Sequence, residues 1–373
     1  MKLGVAYQHS NNPAEAFAML IAQRRLNFAG TDFNHPGGVN NFREQITASY
    51  ALYRGGQDSH QSEAAELSVK ASELDMVAVR NRLINDITAA YYGQLAAIEA
   101  HNVAERAINA VQSELKQSEL RYHAGTVLKS DVLSLQVQLA EAQESEIQTA
   151  NAIELANSML KTLLAWTDGA LLLKQASDSL PKTPGSFDSL LNKALAQHPE
   201  LAAAAKRVAL AEQQVAAAKS AYLPRADAYV SYGFNNQSPD FDTDRDNVSV
   251  GVQVEVELFN GFATQNKVKA AERELLGAQE GLRQQRLIIE NAVKSAQLRL
   301  LEALNRVDVA SVAVTAADEA LRLVDEQRQA GVVTVTRYLE AEVARDKAYT
   351  RQISARYDAL RAEAELQLAT GGF

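Results

Sequence analysis

The chain has no cysteine, which excludes disulfides and thiolate metal sites. Proline is scarce, 7 in 373 residues, and its scarcity leaves room for helices far longer than globular proteins usually hold. No run of about 20 apolar residues occurs, so no membrane-spanning helix is expected. No Lys/Arg block stands out, and the net charge of −9 has the wrong sign for a nucleic-acid partner. The histidines (His9, His35, His60, His101, His123 and His198) form no i,i+4 pair and no ligand spacing. No nucleophile motif, glycine-rich phosphate loop or paired catalytic carboxylate is present. The expectation is a protein with no metal site, no cofactor and no enzymatic activity.

What is present is a long internal repeat. Asn41 matches Asn247 (247 − 41 = 206), and Gly125 matches Gly331 (331 − 125 = 206). Leu52-Tyr53-Arg54-Gly55 matches Leu258-Phe259-Asn260-Gly261 at the same offset, as do Ala64-Ala65-Glu66 with Ala270-Ala271-Glu272 and Leu160 with Leu366. Two ungapped copies, about 41–166 and 247–372, imply two copies of one structural unit. The period is too long for a solenoid of short repeats.

Each copy contains a stretch of strict alternation. Phe42, Ile46, Ala48, Tyr50 and Leu52 fall on one face, broken only by Glu44, while Arg43, Gln45, Thr47 and Ser49 fall on the other. In the second copy Val248, Val250, Val252, Val254, Val256 and Leu258 oppose Ser249, Gln253, Glu255 and Glu257. Period two over about eleven residues is a strand with one apolar face, long enough to cross a bilayer within a barrel. A second strand precedes each: about 2–8, with Leu3, Val5 and Tyr7, and about 226–234, with Val230, Tyr232 and Phe234. Four strands cannot close a barrel alone, and an open apolar edge invites aggregation. Either further sheet is present, which this sequence does not supply, or several chains share one barrel.

The remainder reads as helix. Residues 57–121 and 264–328 contain no proline, and a helix of that length spans on the order of 100 Å. Each is followed by a short glycine-containing break and a second helix, about 131–166 and 336–369. In the first of these, Val132, Leu135, Leu139, Ala142, Ile147, Ala150, Ile153, Ala156, Leu160 and Leu163 recur at steps averaging near 3.5, the spacing of a coiled-coil seam. Frequent alanines permit close approach on more than one flank. Residues 167–187 read as a connector between halves, 1–166 and 188–373. A further helix, about 188–223, is capped by Ser186 or Asp188 and stopped by Pro224. The first half lacks a counterpart of that helix. The expectation is that about 40 residues and any export signal lie outside this sequence.

The ordered set of these features resembles the TolC-like outer-membrane efflux proteins over essentially the whole chain. It is carried by His198-Pro199-Glu200-Leu201, by Ala221-Tyr222-Leu223-Pro224, and by the two Leu-X-X-Gly strand ends. The tip segments Arg121-Tyr122-His123-Ala124-Gly125 with Asp131-Val132-Leu133, and Arg328-Gln329-Ala330-Gly331 with Tyr338-Leu339, complete it. The resemblance implies a mainly α fold with transmembrane β. In it a homotrimer contributes four strands per protomer to a twelve-stranded outer-membrane barrel, continued by a long periplasmic α-helical coiled-coil barrel. It also implies an exit duct for tripartite efflux, with an inner-membrane pump and a periplasmic adaptor as partners and gating at the helical tips. The loop at about 9–40 departs from the simple pattern, because Ala14–Leu26 is amphipathic and reads as a surface helix.

Candidate site residues follow, each beside a plainer reading. Gly125 and Gly331 suit helix C-caps; the resemblance adds adaptor contact there, with Arg121 and Arg328. Asp131 and Arg337 are repeat-equivalent and opposite in charge; they are aperture candidates if the tips adjoin, and otherwise solvated charges of little worth. Glu340 is either an aperture carboxylate or a surface residue. Arg43, Gln45, Thr47, Gln253, Glu255 and Glu257 are pore-lining candidates, with cation preference from the two glutamates as the sharper reading. Two alternatives stay open: the duct of a type I protein-secretion system, and a soluble coiled-coil scaffold, against which the Val248–Leu258 alternation counts.

Overall fold

A computed structural model describes residues 1–30, 32–167, 169–174, 179–240 and 243–373. The elements run β1 (Lys2–Ser10), α1 (Pro13–Ala22), β2 (Val39–Arg54), α2 (Gln57–His123), α3 (Lys129–Leu163), α4 (Phe187–Gln197), α5 (Pro199–Lys219), β3 (Arg225–Asn236), β4 (Asp246–Glu255), α6 (Ala263–Gln329) and α7 (Val335–Ala369). A 3-10 turn, Ser220–Tyr222, follows α5, and another, Thr243–Arg245, precedes β4. The chain divides into two units, Met1–Val69 with Arg207–Gln279, and Lys70–Lys206 with Glu280–Phe373. No described helix is long and apolar enough to cross a membrane.

The first unit holds one antiparallel sheet in the order β1-β2-β3-β4. Its register sets the faces. Leu3 pairs with Ile46, Ile46 with Tyr232 and Tyr232 with Val248; Ala48 pairs with Val230 and Val230 with Val250. Paired residues share a side of the sheet, so the apolar alternations of all four strands fall on one face. That face is open in the single chain: Leu3 is 74 % exposed and Val250 77 %. Two details differ from the expected alternation. A bulge between Ala51 and Tyr53 in β2 takes Leu52 out of register, so Tyr53 joins the apolar face opposite Ala226. β4 ends at Glu255 rather than about 259, because Glu255 pairs with Arg225, the first residue after Pro224, and proline has no N–H to extend the ladder.

The second unit is a packed helical array. On α6 the buried positions Ile289, Val293, Ala296, Leu300, Ala303, Val307, Ala310 and Val314 alternate steps of four and three, a heptad seam. On α7, Ala355, Ala359, Ala362, Leu366 and Ala369 keep the same rhythm and join that cluster. Toward the α2–α3 and α6–α7 turns a second cluster gathers Val111, Leu135, Val335 and Leu339 around Leu115, Leu139 and Tyr338.

The expected seam on α3 is broken once. Ile147 is 58 % exposed, since it lies five residues past Ala142. The seven-residue step from Ala142 falls on Thr149, whose hydroxyl meets His101 Nδ1 at 3.1 Å. The helix expected at about 188–223 is two helices. Pro199 supplies no N–H and opens α5, while His198 takes extended angles (φ −68°, ψ 120°) between them. Glu200, in the first turn of α5, accepts from Arg82 Nη2 at 2.9 Å and from Gln285 Nε2 at 2.8 Å, fixing the start of that helix. The connector is irregular where described; Asp168 and residues 175–178 lie outside the described residues.

Leu135 has no exposed surface, so Leu135→Ala costs about 2–5 kcal/mol. Amide exchange at the start of α3 should rise by tenfold or more, on the order expected for that loss. Ile147→Ala should leave it unchanged, and equal effects of the two would refute the seam assignment.

Candidate functional site

Two places carry the chemistry the sequence points to: the polar face of the sheet, and the turns at the ends of α2 and α6. On the sheet, Arg43, Gln45 and Thr47 alternate along β2. They pair with Asn235, Gly233 and Ser231 of β3, which places all six on the face opposite the valines. Gln253 and Glu255 lie on the same face of β4, across from Asp227 and Arg225. Glu257, a candidate for this lining, is not on a strand. It follows the end of β4, and its Oε2 accepts from Asn260 Nδ2 at 3.0 Å in the turn into α6. Glu255 faces Arg225, and Arg54 lies 3.6 Å from Asp58 and 3.9 Å from Asp227. Opposite charges thus stand side by side at the helix end of the face, while Gln45, Thr47, Ser231 and Ser249 keep its middle uncharged.

Two further residues shape this face and were not singled out from sequence. Tyr229 belongs to it, and its ring occupies the space above Gly251, where an added Cβ would come within 2.7 Å of the phenol. The glycine lets the ring lie back against the sheet instead of standing away from it. Period two along β3 contained the signal for Tyr229; Gly251 was hidden because it sits within a run of valines.

At the turns the two repeats end their long helices in the same way. Gly125 has φ 75° and Gly331 φ 77°. Gly125 N–H donates to Tyr122 O and Thr126 N–H to Arg121 O, both at 2.9 Å; Gly331 N–H to Arg328 O and Val332 N–H to Gln327 O repeat the pattern, also at 2.9 Å. This is the Schellman cap, and its positive φ favours glycine. A Cβ at either glycine would meet nothing within 4 Å, so both surfaces are open.

The charged candidates separate by environment. Arg121 is exposed beside Gly125. Arg337 and Glu340 are exposed and bridge each other at 3.0 Å. Asp131 does not bond Arg337 within the chain; its Oδ2 accepts from Leu128 N–H at 3.4 Å at the start of α3. Arg328, grouped with the tip contacts, is instead buried beneath the tip. Its side chain is 10 % exposed, lies 4.4 Å over the Tyr338 ring, pairs with the buried Glu114 and meets Asp325 at 3.1 Å. Sequence gives an arginine at a helix end no mark of burial; only the packing of α2 against α6 and α7 supplies Glu114. Burial lowers the affinity of Arg328 for its proton, but the bond to Glu114 and the charges of Glu114 and Asp325 outweigh it, so its pKa is raised.

Close by, Glu342 is buried with Oε2 unpartnered, and Arg345 Nη2 stands 3.8 Å from its Oε1. Burial raises its pKa, against the pull of Arg345. Tyr338, half-buried and near Glu342, is pushed up to about 12 by burial and by the Glu342 charge.

The comparisons with known proteins agree with this geometry. The family model for outer membrane efflux proteins matches residues 3–165 and again 190–372, one match for each repeat. The chain belongs to the outer membrane efflux protein family. It is similar to the outer membrane protein TolC of Escherichia coli (strain K12), 22 % identical over 96 % of this chain and 76 % of TolC. It is also similar to the alkaline protease secretion protein AprF of Pseudomonas aeruginosa, 26 % identical over 78 % of this chain and 61 % of AprF. Among solved structures the crystal structure of CusC superposes with a TM-score of 0.82 at 17 % identity, covering 100 % of this chain and 83 % of that one. The protein is an outer-membrane efflux channel, and the family is one of ducts rather than enzymes.

Two outcomes test the site. Gly251→Val should cost about 1–3 kcal/mol through overpacking against Tyr229, and Tyr229→Ala in the same chain should recover most of it in thermal unfolding; no recovery would refute the contact. For Glu342, the folded pKa lies above the unfolded one. The folded state therefore binds the extra proton between them, and stability falls as pH rises from the usual carboxylate value through the raised one. Glu342→Gln should raise the melting temperature at pH 8 and remove that part of the pH dependence; a lower melting temperature at pH 8 would contradict it.

Proposed function

We propose that three copies of the chain close one twelve-stranded barrel, and that the resulting duct is the exit path of a tripartite efflux system. A periplasmic adaptor meets it at the helical tips and links it to an inner-membrane pump. The observation that carries this reading is the open sheet. Its edges are β1 and β4, and its apolar face is exposed. β1 runs toward the loops and β4 away from them, so β4 of one copy meets β1 of the next as an antiparallel pair. Closure satisfies the edge N–H and C=O groups, as a bilayer requires, and turns the valine face to lipid. The same closure turns Arg43, Gln45, Thr47, Gln253 and Glu255 to the lumen.

In this reading the halves 1–166 and 188–373 are the two structural repeats of each protomer. The open surfaces at Gly125, Gly331 and Arg121 are the adaptor contacts, and Arg328 supports them from beneath. Asp131, Arg337 and Glu340 line the aperture, where their pairing with a neighbouring protomer holds the closed state and its exchange accompanies opening. The pump supplies energy and the duct a sealed path. A second reading, protein export by the type I route, draws support from the likeness to AprF, a protease secretion protein.

The test is expression with outer-membrane export, followed by light scattering in detergent and complementation of a strain lacking its own duct. A trimer released only by detergent, which restores drug resistance, is expected. Restored protein secretion without resistance would favour the second reading, and a soluble monomer would overturn both. Val250→Arg places a cation on the lipid face at a cost of about 2–4 kcal/mol at mid-bilayer and should sharply lower the amount of trimer in the membrane, whereas Gln45→Arg on the lumen face should not.

A further inference from the structure

The β1–β2 connection contains α1, a largely exposed helix that packs one side against the sheet. Its polar bonds run to the sheet. Near its start, Glu15 Oε2 accepts from Gln8 Nε2 of β1 at 3.4 Å. Just past its end, Gln23, with no exposed surface, donates to Asn40 O at 2.7 Å and to Asn41 Oδ1 of β2 at 2.9 Å. Asn41 Nδ2 in turn donates to Asn235 Oδ1 of β3 at 3.1 Å. Arg24 donates to Asp244 O at 2.5 Å and to Asp246 O, at the first residue of β4, at 3.0 Å. The segment is thus tied directly to β1, β2 and the start of β4, and through Asn41 to β3.

The register fixes which side this is. Gln8 pairs with Asn41, and Asn41 alternates in phase with Arg43, Gln45 and Thr47. Those side chains are on the polar face, at the end of the sheet away from the starts of α2 and α6. A ten-residue helix is about 15 Å long, and four strands span roughly 14 Å, so α1 has the length of a crossbar over the sheet. It buries Ala16 and Met19. Its end is held under strain. Arg24 takes φ 52° in a Schellman cap, with Arg24 N–H to Ile21 O and Arg25 N–H to Leu20 O both at 2.9 Å. That position favours glycine; an arginine persists there when its surroundings over-determine it, and here its guanidinium grips the β3–β4 connection.

We propose that α1 is a constriction at the loop end of the duct, a second element that limits the size of what leaves, distinct from the helical tips. This rests on the trimeric barrel proposed above. Twelve strands spaced by about 4.8 Å and tilted by about 40° enclose a circle roughly 24 Å across the backbone. A helix with its side chains is about 10 Å thick, so three crossbars against that wall leave a passage of only a few ångströms. Passage of larger cargo requires α1 to swing off the polar face, breaking the Gln23 and Arg24 bonds.

The absence of cysteine makes a direct test clean. Gln45→Cys puts a single thiol on the polar face of β2, about 13 Å beyond Asn41. Intact cells carrying the exported full chain are treated from outside with a small membrane-impermeant maleimide or a bulky poly(ethylene glycol)-maleimide. With native α1 the bulky reagent should react at least about tenfold more slowly than the small one, as a passage of a few ångströms dictates. With Gln23→Ala and Arg24→Ala added, or with residues 11–38 replaced by a short Gly/Ser turn, the two rates should converge. Fast labelling by the bulky reagent with α1 intact, or a gap that persists in both variants, would overturn the proposal while a trimer on native gels left the barrel standing. No labelling by either reagent in any background would remove the barrel and the proposal together.

Discussion

The constraint on which this structure depends is that backbone N–H and C=O groups cannot be left unpaired in a bilayer. A single chain contributes four strands, pairs three interfaces and leaves two edges open. Everything distinctive about the sheet follows from needing partners for those edges: one face apolar but for Glu44, one polar face with an uncharged middle, and strands whose directions alternate so that copies can meet edge to edge. The bulge at Leu52 serves the same end. It shifts the register by one residue before α2, moving Tyr53 to the apolar side, with Arg54 3.9 Å from Asp227.

The helical unit solves a different problem. Helices of 67 residues cannot be held by one compact core, so apolar contact is spread along heptad seams of alanine and branched residues. Such seams specify packing with little energy per turn. The places where they are interrupted are therefore informative. Thr149 with His101, and Glu114 with Arg328 under the Tyr338 ring, are polar inserts. The latter sits directly beneath the tips, where breaking a buried ion pair by loss of one partner is costly. The tips themselves are stiffened by identical glycine caps, so motion there is expected of the hairpin as a body more than of the turn.

Much of this was legible in the residues. The offset of 206 announced two copies, the valine alternation gave β4 and its faces, and the lack of proline gave α2 and α6 to within two residues. The positions of Arg43, Gln45, Thr47, Gln253 and Glu255 on one face followed from period two alone. Glu257 failed because alternation in sequence does not stop where pairing stops, and Pro224 lies on the partner strand. The seam through Ile147 failed because the apolar residue nearest the period was chosen over the polar one that keeps it.

Sequence by itself determined what depends on neighbours along the chain: periodicity, caps, breaks and the repeat. Tertiary structure alone decided what depends on residues brought from elsewhere. Arg328 is a buried anchor because α2 presents Glu114 to it, and the α1 segment lies against the sheet because strand pairing brings Gln8, Asn41 and Asp246 within reach of it. An amphipathic helix records that it has a side to bury; it does not record against what, because that surface is assembled by long-range pairing.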